Sequence, residues 1–138
     1  MIRHLFIFFF LFTNLGFSFS QLKVNDTIVK NFELKGKSLH SWLGIDSVWH
    51  YNTYLTCMND FKLKLSCAKC ESVYLDVVFN IDSMGKLADY KIVTEKMCGQ
   101  KFSPDLKICF LEFFINYNFP VELRRMKIQT RLGTILKC

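Results

Sequence analysis

Six cysteines are the residues of this chain whose type and spacing could do chemistry: Cys57, Cys67, Cys70, Cys98, Cys109 and Cys138. Cys67-Ala68-Lys69-Cys70 has the Cys-x-x-Cys spacing of a dithiol redox site, with the Lys69 ammonium placed to favour a thiolate. Such motifs usually open a helix, whose positive end lowers the thiol pKa, whereas this one leads into a strand. A tetrahedral zinc site is the second possibility, but a two-knuckle site carries two Cys-x-x-Cys pairs and this chain has one. Third, an even cysteine count in a short exported chain points to disulfides. Each bridge stabilises a domain by roughly 2–4 kcal/mol, chiefly by restricting the unfolded chain. Three staples and no metal are the expectation. An exported thiol–disulfide oxidoreductase using Cys67 and Cys70 is the alternative.

Other chemistry is sparse. His40 and His50 are the only histidines outside the N-terminal leader, and neither stands in a ligand spacing. His50 and Cys57 could act as base and nucleophile, but a partly buried structural histidine is the expected role. Phosphate-binding glycine loops, nucleophile elbows and His-Glu-x-x-His motifs do not occur in the sequence. Asp76, Asp82 and Asp89 are isolated acids with turn and surface roles. The sequence therefore points away from an enzyme and implies no cofactor. Trp42, Trp49, Tyr51 and Tyr54 cluster in the N-terminal half, where they are expected to cover one face of a sheet; the sharper reading is an aromatic ligand cradle.

The first twenty residues read as an export signal. Arg3 and His4 form a short basic start, Leu5 to Leu15 is almost purely apolar, and Ser18 and Ser20 supply small residues at the −3 and −1 positions, predicting cleavage before Gln21. The apolar run is shorter than the roughly 20 residues of a spanning helix. Removal leaves 118 of 138 residues, enough for one core, with 17 basic groups against 12 acids, a net +5. The excess is modest and spread out, with Lys62-Leu63-Lys64 and Arg124-Arg125 as its tight clusters. Nucleic acid is not an expected partner; peripheral contact with anionic lipid or an acidic protein is compatible with the charge. Asn25-Asp26-Thr27 matches a glycosylation sequon.

Residues 21–70 read as an irregular N-terminal portion. Within it, Thr27 to Leu34 suggests a strand, Asp46 a cap for a short helix from Ser47 to about Leu55, and Phe61 to Leu65 another short strand. From Val73 the pattern sharpens. Val73, Leu75, Val77, Phe79 and Ile81 alternate with Tyr74, Asp76, Val78 and Asn80. Asp82-Ser83-Met84-Gly85 supplies a turn, and Lys86 to Thr94 a return strand with Ala88, Tyr90 and Ile92 on its more apolar face. Ser103-Pro104-Asp105 is a helix start. The helix runs to about Asn116 or Tyr117, with Asp105, Cys109, Glu112 and Asn116 on a narrow wet stripe and Leu106, Phe110, Phe113, Phe114 and Tyr117 opposite. Phe119-Pro120 ends it, and Met126 to about Leu136 is the last strand. The class is α+β: a small antiparallel sheet with a ββαβ core over residues 71–138, packed on one hydrophobic helix and stapled by disulfides.

Val77, Phe79, Ile81, Asp82 and Gly85, then Leu87, Asp89, Ile92 and Val93, a helix, and Phe119-Pro120 together resemble the TonB C-terminal domain family. Its members show a hydrophobic strand ending in Ile-Asp-x-x-Gly, a Val/Ile-rich return strand, a helix, a Phe/Pro pair and a last strand. The resemblance covers about residues 71–136. It implies a periplasmic binding module that adds a strand of an outer-membrane or other envelope protein to its own sheet. The chain carries no Pro-rich spacer and no Tyr-Pro pair before the first strand, so a small exported binding protein is expected rather than a force-transmitting one.

Strand order then places the chemistry. An all-antiparallel sheet requires the last strand to lie beside the first, as an edge. Lys127, Ile128, Gln129, Thr130, Arg131 and Leu132 are accordingly the expected docking edge, unless Lys127 and Arg131 merely guard it against aggregation. The same order gathers Cys67, Cys70, Cys98 and Cys138 at one end of the sheet. The Cys67/Cys70 pair is expected to bridge to Cys98 and Cys138, and Cys57 to bridge to Cys109.

Overall fold

The computed structural model describes residues 26–138. The expected leader, its cleavage point before Gln21 and Asn25 of the sequon lie outside the described residues.

The alternating apolar run forms the central strand β2 (Ser72–Ile81), which pairs antiparallel with β3 (Leu87–Met97). Val73, Leu75, Val77, Phe79 and Ile81 are buried on one face, as period-2 geometry requires. The Asp82 carboxylate closes the turn by accepting the Met84 and Lys86 amides at 2.8 and 2.9 Å. Gly85 adopts φ +81°, and a Cβ there would overlap the Phe119 carbonyl oxygen. The Phe119 amide donates to the Gly85 carbonyl at 2.7 Å, and the Arg125 amide to the Asp82 carbonyl at 3.3 Å. Turn and helix exit thus lock together through Asp82, Gly85 and Phe119.

A bulge divides β3. Thr94 pairs with Asp76 and Ile92 with Val77, leaving Val93 as the extra residue. Before the bulge, Ile92 and Tyr90 stand opposite Val77 and Phe79 on the helix side, Ile92 half-buried but Tyr90 exposed because β3 is an outer strand, while Ala88 is the extra residue of a second bulge and is exposed. Beyond the Val93 bulge Glu95 bonds to the segment that carries the C-terminal helix, accepting the Phe102 amide at 3.1 Å and pairing with Lys107 at 3.0 Å.

Two helical segments cover the sheet. The first corrects the expectation of an irregular 21–70 region: residues 36–60 are one continuous helical run, α1 (Gly36–Trp49), a π-helical turn (His50–Tyr54) and α2 (Leu55–Asp60). Asp46 lies inside α1 and caps nothing. Trp42, Ile45 and Trp49 form the buried stripe of α1, and Tyr54, Cys57 and Met58 continue it. The step from Trp49 to Tyr54 is five residues. A regular helix would have rotated Asn52 or Thr53 into the core; the wide turn absorbs the extra residue and keeps the aromatic side inward. Phe61 to Leu65 is not a strand. It caps α2 in a Schellman arrangement, with Lys62 at φ +54°, the Leu63 amide on the Met58 carbonyl at 2.8 Å and the Lys62 amide on the Asn59 carbonyl at 3.0 Å.

The second segment, α3 (Pro104–Asn116), starts as expected, with Ser103 Oγ accepting the Leu106 amide at 3.3 Å. It buries Leu106, Phe110, Leu111 and Phe114, while Ile108 and Ile115 face outward, so its wet side is broader than one stripe. The core is an aromatic stack between the helices and β2. Phe79 and Phe114 sit 4.6 Å apart, Trp42 and Trp49 lie against Phe114, and the Trp49 indole N–H donates to the Phe110 carbonyl at 3.0 Å.

The sheet order is β1-β4-β2-β3. β4 (Lys127–Ile135) lies antiparallel beside β2, as expected of the last strand. The sheet is nevertheless mixed, not wholly antiparallel. β1 (Ile28–Lys30) adds parallel to β4, pairing Ile28 with Lys127, Val29 with Ile128 and Lys30 with Gln129. Gly133, opposite Tyr74, has φ +120°, and a Cβ there would overlap the Val73 carbonyl oxygen.

Candidate functional site

The six residues expected to form a docking edge divide along β4. Ile128, Thr130 and Leu132 are buried on the helix side, while Lys127, Gln129 and Arg131 occupy the alternate positions on the open face. Their backbone is not all available. β1 already pairs with Lys127–Gln129, and the Lys127 ammonium meets Asp26 at 2.9 Å, so these three are corrected from open edge to occupied ladder. β1 stops because the Lys30 amide turns to the Glu33 carboxylate at 2.9 Å as the chain enters a 3-10 turn (Asn31–Glu33). From Thr130 to Ile135 the outer side of β4 has no strand partner among the described residues. Thr130, Arg131 and Leu132 of the expected edge remain in the open half, and Gly133, Thr134 and Ile135 join them.

A notch of about 370 Å³ opens where β1 leaves off, lined by Lys30, Phe32, Asp76, Gln129 and Arg131 among others. Phe32 is 74% exposed at its rim. Beside it a polar network crosses the open face. Arg131 binds Asp76 through two bonds of 2.7 and 2.9 Å, the Thr94 hydroxyl donates to the same carboxylate at 2.6 Å, and the guanidinium carbon lies 4.4 Å from the centre of the Tyr74 ring. Burial works against ionisation of Asp76, but the hydrogen bonds from Arg131 and Thr94 and the Arg131 charge outweigh it and hold the carboxyl below its ordinary range. Asp76 is therefore not an isolated surface acid: the sheet register sets it opposite Arg131 and Thr94.

The sheet has a second edge, β3, which reasoning about the last strand alone overlooks. It carries Asp89, Lys91 and Lys96 and the bulge at Val93, devices that discourage edge-to-edge pairing.

The cysteines are all oxidised: Cys57–Cys109, Cys67–Cys138 and Cys70–Cys98. Cys67 and Cys70 thus belong to different bridges, and their Cys-x-x-Cys forms no dithiol pair with itself. Cys57, bonded to Cys109, is no nucleophile for His50, whose ring instead stacks on Tyr54 at 5.0 Å. Trp42, Trp49 and Tyr54 are core, not a ligand cradle; Tyr51 points outward. A second concavity, about 480 Å³, lies between the π-helical turn and α3 over the Cys57–Cys109 bridge. Among the described residues no three His, Cys, Asp or Glu side chains are grouped to hold a metal, and no helix is long and apolar enough to cross a membrane. Three bridges with no free thiol fit an oxidising, exported environment.

Comparison with protein-family models, with curated proteins and with solved structures finds no match.

Proposed function

We propose that this chain is an exported, non-enzymatic binding domain of the TonB C-terminal kind, which recognises an envelope protein by adding one of its strands to the open half of β4. The observation that carries this reading is the length of unpaired edge. Among the described residues β1 occupies only Lys127–Gln129, which leaves six residues, Thr130–Ile135, without a strand partner. That length suits strand addition, in which backbone hydrogen bonds supply affinity and alternate side chains supply selectivity. The notch beside Phe32 and Arg131 would receive one side chain of the incoming strand. The mutual bonding of Asp82, Gly85 and Phe119, three of the residues behind the family resemblance, supports the reading as well. Periplasmic location follows from the same resemblance. The oxidoreductase alternative requires a Cys67–Cys70 bridge, which the observed pairing does not contain.

Display of extended random peptides against the oxidised domain, followed by hydrogen exchange of the best complex, tests the proposal. New protection is expected in Thr130–Ile135, with the helices unchanged. Protection confined to the α3 groove or to β3 would refute strand addition at β4.

A further inference from the structure

The two bridges Cys67–Cys138 and Cys70–Cys98 tie three separate stretches of chain together at one end of the sheet. The Leu136 amide donates to the Glu71 carbonyl and the Cys98 amide to the Ser72 carbonyl, both at 2.8 Å, so the stretches are also bonded backbone to backbone. Charge collects there. Residues 60–71, 95–107 and 136–138 hold seven lysines against four acidic side chains, a side-chain net of +3. The remaining described residues hold nine basic groups against eight acids, a net +1. Two of the four acids are already neutralised: Glu71 pairs with Lys96 at 3.4 Å and Glu95 with Lys107 at 3.0 Å. Lys62, Lys64, Lys69, Lys101 and Lys137 are exposed and have no ion-pair partner among the described residues.

The local backbone explains why these lysines point outward. Lys62 sits at the left-handed position that caps α2, while Leu63 and Leu65 pack against the core, so the intervening Lys64 is turned to solvent. Lys69 and Lys137 each adjoin a bridged cysteine, which fixes their main chain. Phe61 stands beside Lys62 and keeps 37% of its surface exposed. Exposed lysines without ion-pair partners, carried on stretches that the two bridges hold together and with the exposed Phe61 adjoining Lys62 in the chain, suit an anionic lipid surface: the charges meet head groups and the ring sits at the interface.

We infer that the disulfide-stapled end of the domain docks on anionic membranes. The surface is distinct from the notch on β4 and does not depend on strand addition there. Each lysine near such a surface contributes about a fivefold gain in binding, so three contribute on the order of a hundredfold. The attraction is screened over roughly 8 Å at physiological salt and should vanish at molar salt.

Co-sedimentation of the oxidised protein with vesicles tests this. Binding is expected to phosphatidylcholine vesicles containing phosphatidylglycerol, not to phosphatidylcholine alone, and it should be lost in 1 M salt. The triple variant Lys62→Gln, Lys64→Gln, Lys69→Gln should weaken binding about a hundredfold. The matched variant Lys35→Gln, Lys37→Gln, Lys86→Gln, away from the stapled end, should change it by less than about threefold. Equal losses in the two variants would reduce the effect to net charge and overturn the inference. So would failure of the unmodified protein to bind phosphatidylglycerol vesicles at low salt, a result that needs no variant to fold.

Discussion

Two glycine-to-alanine substitutions of identical chemistry are expected to move stability in opposite directions. Gly133 lies in β4 opposite Tyr74, at φ +120°. An alanine Cβ there would overlap the Val73 carbonyl oxygen and come within 2.8 Å of the Tyr74 Cα. Forcing an L-residue into that backbone region costs about 1–3 kcal/mol. Relieving the overlap must also part β2 from β4, weakening one or two ladder bonds worth roughly 0.5–1.5 kcal/mol each. The sum is about 3 kcal/mol. Gly44 lies on the exposed side of α1, and a Cβ there meets nothing within 4 Å. Alanine at that position should stabilise by about 0.5–1 kcal/mol, because glycine loses more backbone entropy on entering a helix. Urea denaturation of the oxidised proteins measures both free energies, and thermal unfolding the matching shifts in Tm. For a domain of this size, Gly133→Ala should lower Tm by at least about 10 °C and Gly44→Ala raise it by several degrees. If Gly133→Ala stayed within about 0.5 kcal/mol of the unmodified protein, the register that sets Gly133 against Tyr74 would be wrong, and with it the assignment of Thr130–Ile135 as open edge.

Trp49→Phe removes the indole bond to the Phe110 carbonyl and part of a fully buried ring; a loss of about 2 kcal/mol is expected by denaturation, with a blunted change in tryptophan fluorescence on unfolding. Asp76 has its folded pKa below the ordinary carboxylate value, so its stabilisation is present above that value and is lost as pH falls through the folded pKa. The acid limb of the stability profile should therefore shrink in Asp76→Asn, measured by denaturation between pH 7 and pH 3; an unchanged limb would show that the Arg131 pair contributes nothing. Replacing Cys57 and Cys109 together by alanine opens a bridge spanning 52 residues, for which chain entropy implies about 4 kcal/mol, read as a shift in urea midpoint. That loss should leave the Cys67–Cys138 and Cys70–Cys98 pairs intact by non-reducing peptide mass.

Some of the fold was legible because its signals are local. The alternation from Val73 to Ile81, the Asp82–Gly85 turn, the Ser103-Pro104-Asp105 helix start and the last strand each declare themselves within a few residues. Chaining those elements in order was enough to bring Cys67 and Cys70 to the same end as Cys98 and Cys138. Strand order alone did not settle which of the pair takes which partner; the closed structure joins Cys67 to Cys138 and Cys70 to Cys98.

The N-terminal half showed only the Ser47–Leu55 stretch of its helix, because the apolar period breaks between Trp49 and Tyr54. A five-residue step fits neither strand nor regular helix, and only the need to keep Trp49 and Tyr54 against Phe110 makes a wide turn worthwhile. β1 was legible only as a strand somewhere within Thr27–Leu34. Its three-residue extent and its place are decided by what it meets: the flank of β4 on one side and the Glu33 carboxylate that ends it on the other. That placement changes the candidate site most, since it fills Lys127–Gln129 and leaves Thr130–Ile135 open. The pairing of Asp76 with Arg131 and Thr94 was likewise invisible, because residues 18 and 55 positions apart share a site only once register is set. The sequence by itself determined the hairpin, the capped helix and the last strand, which depend on neighbours in the chain, and its even cysteine count pointed to bridges between residues 28 to 71 positions apart. Tertiary structure decided which strand edge is free and which charges stand uncompensated, because both depend on groups that only the closed sheet brings together.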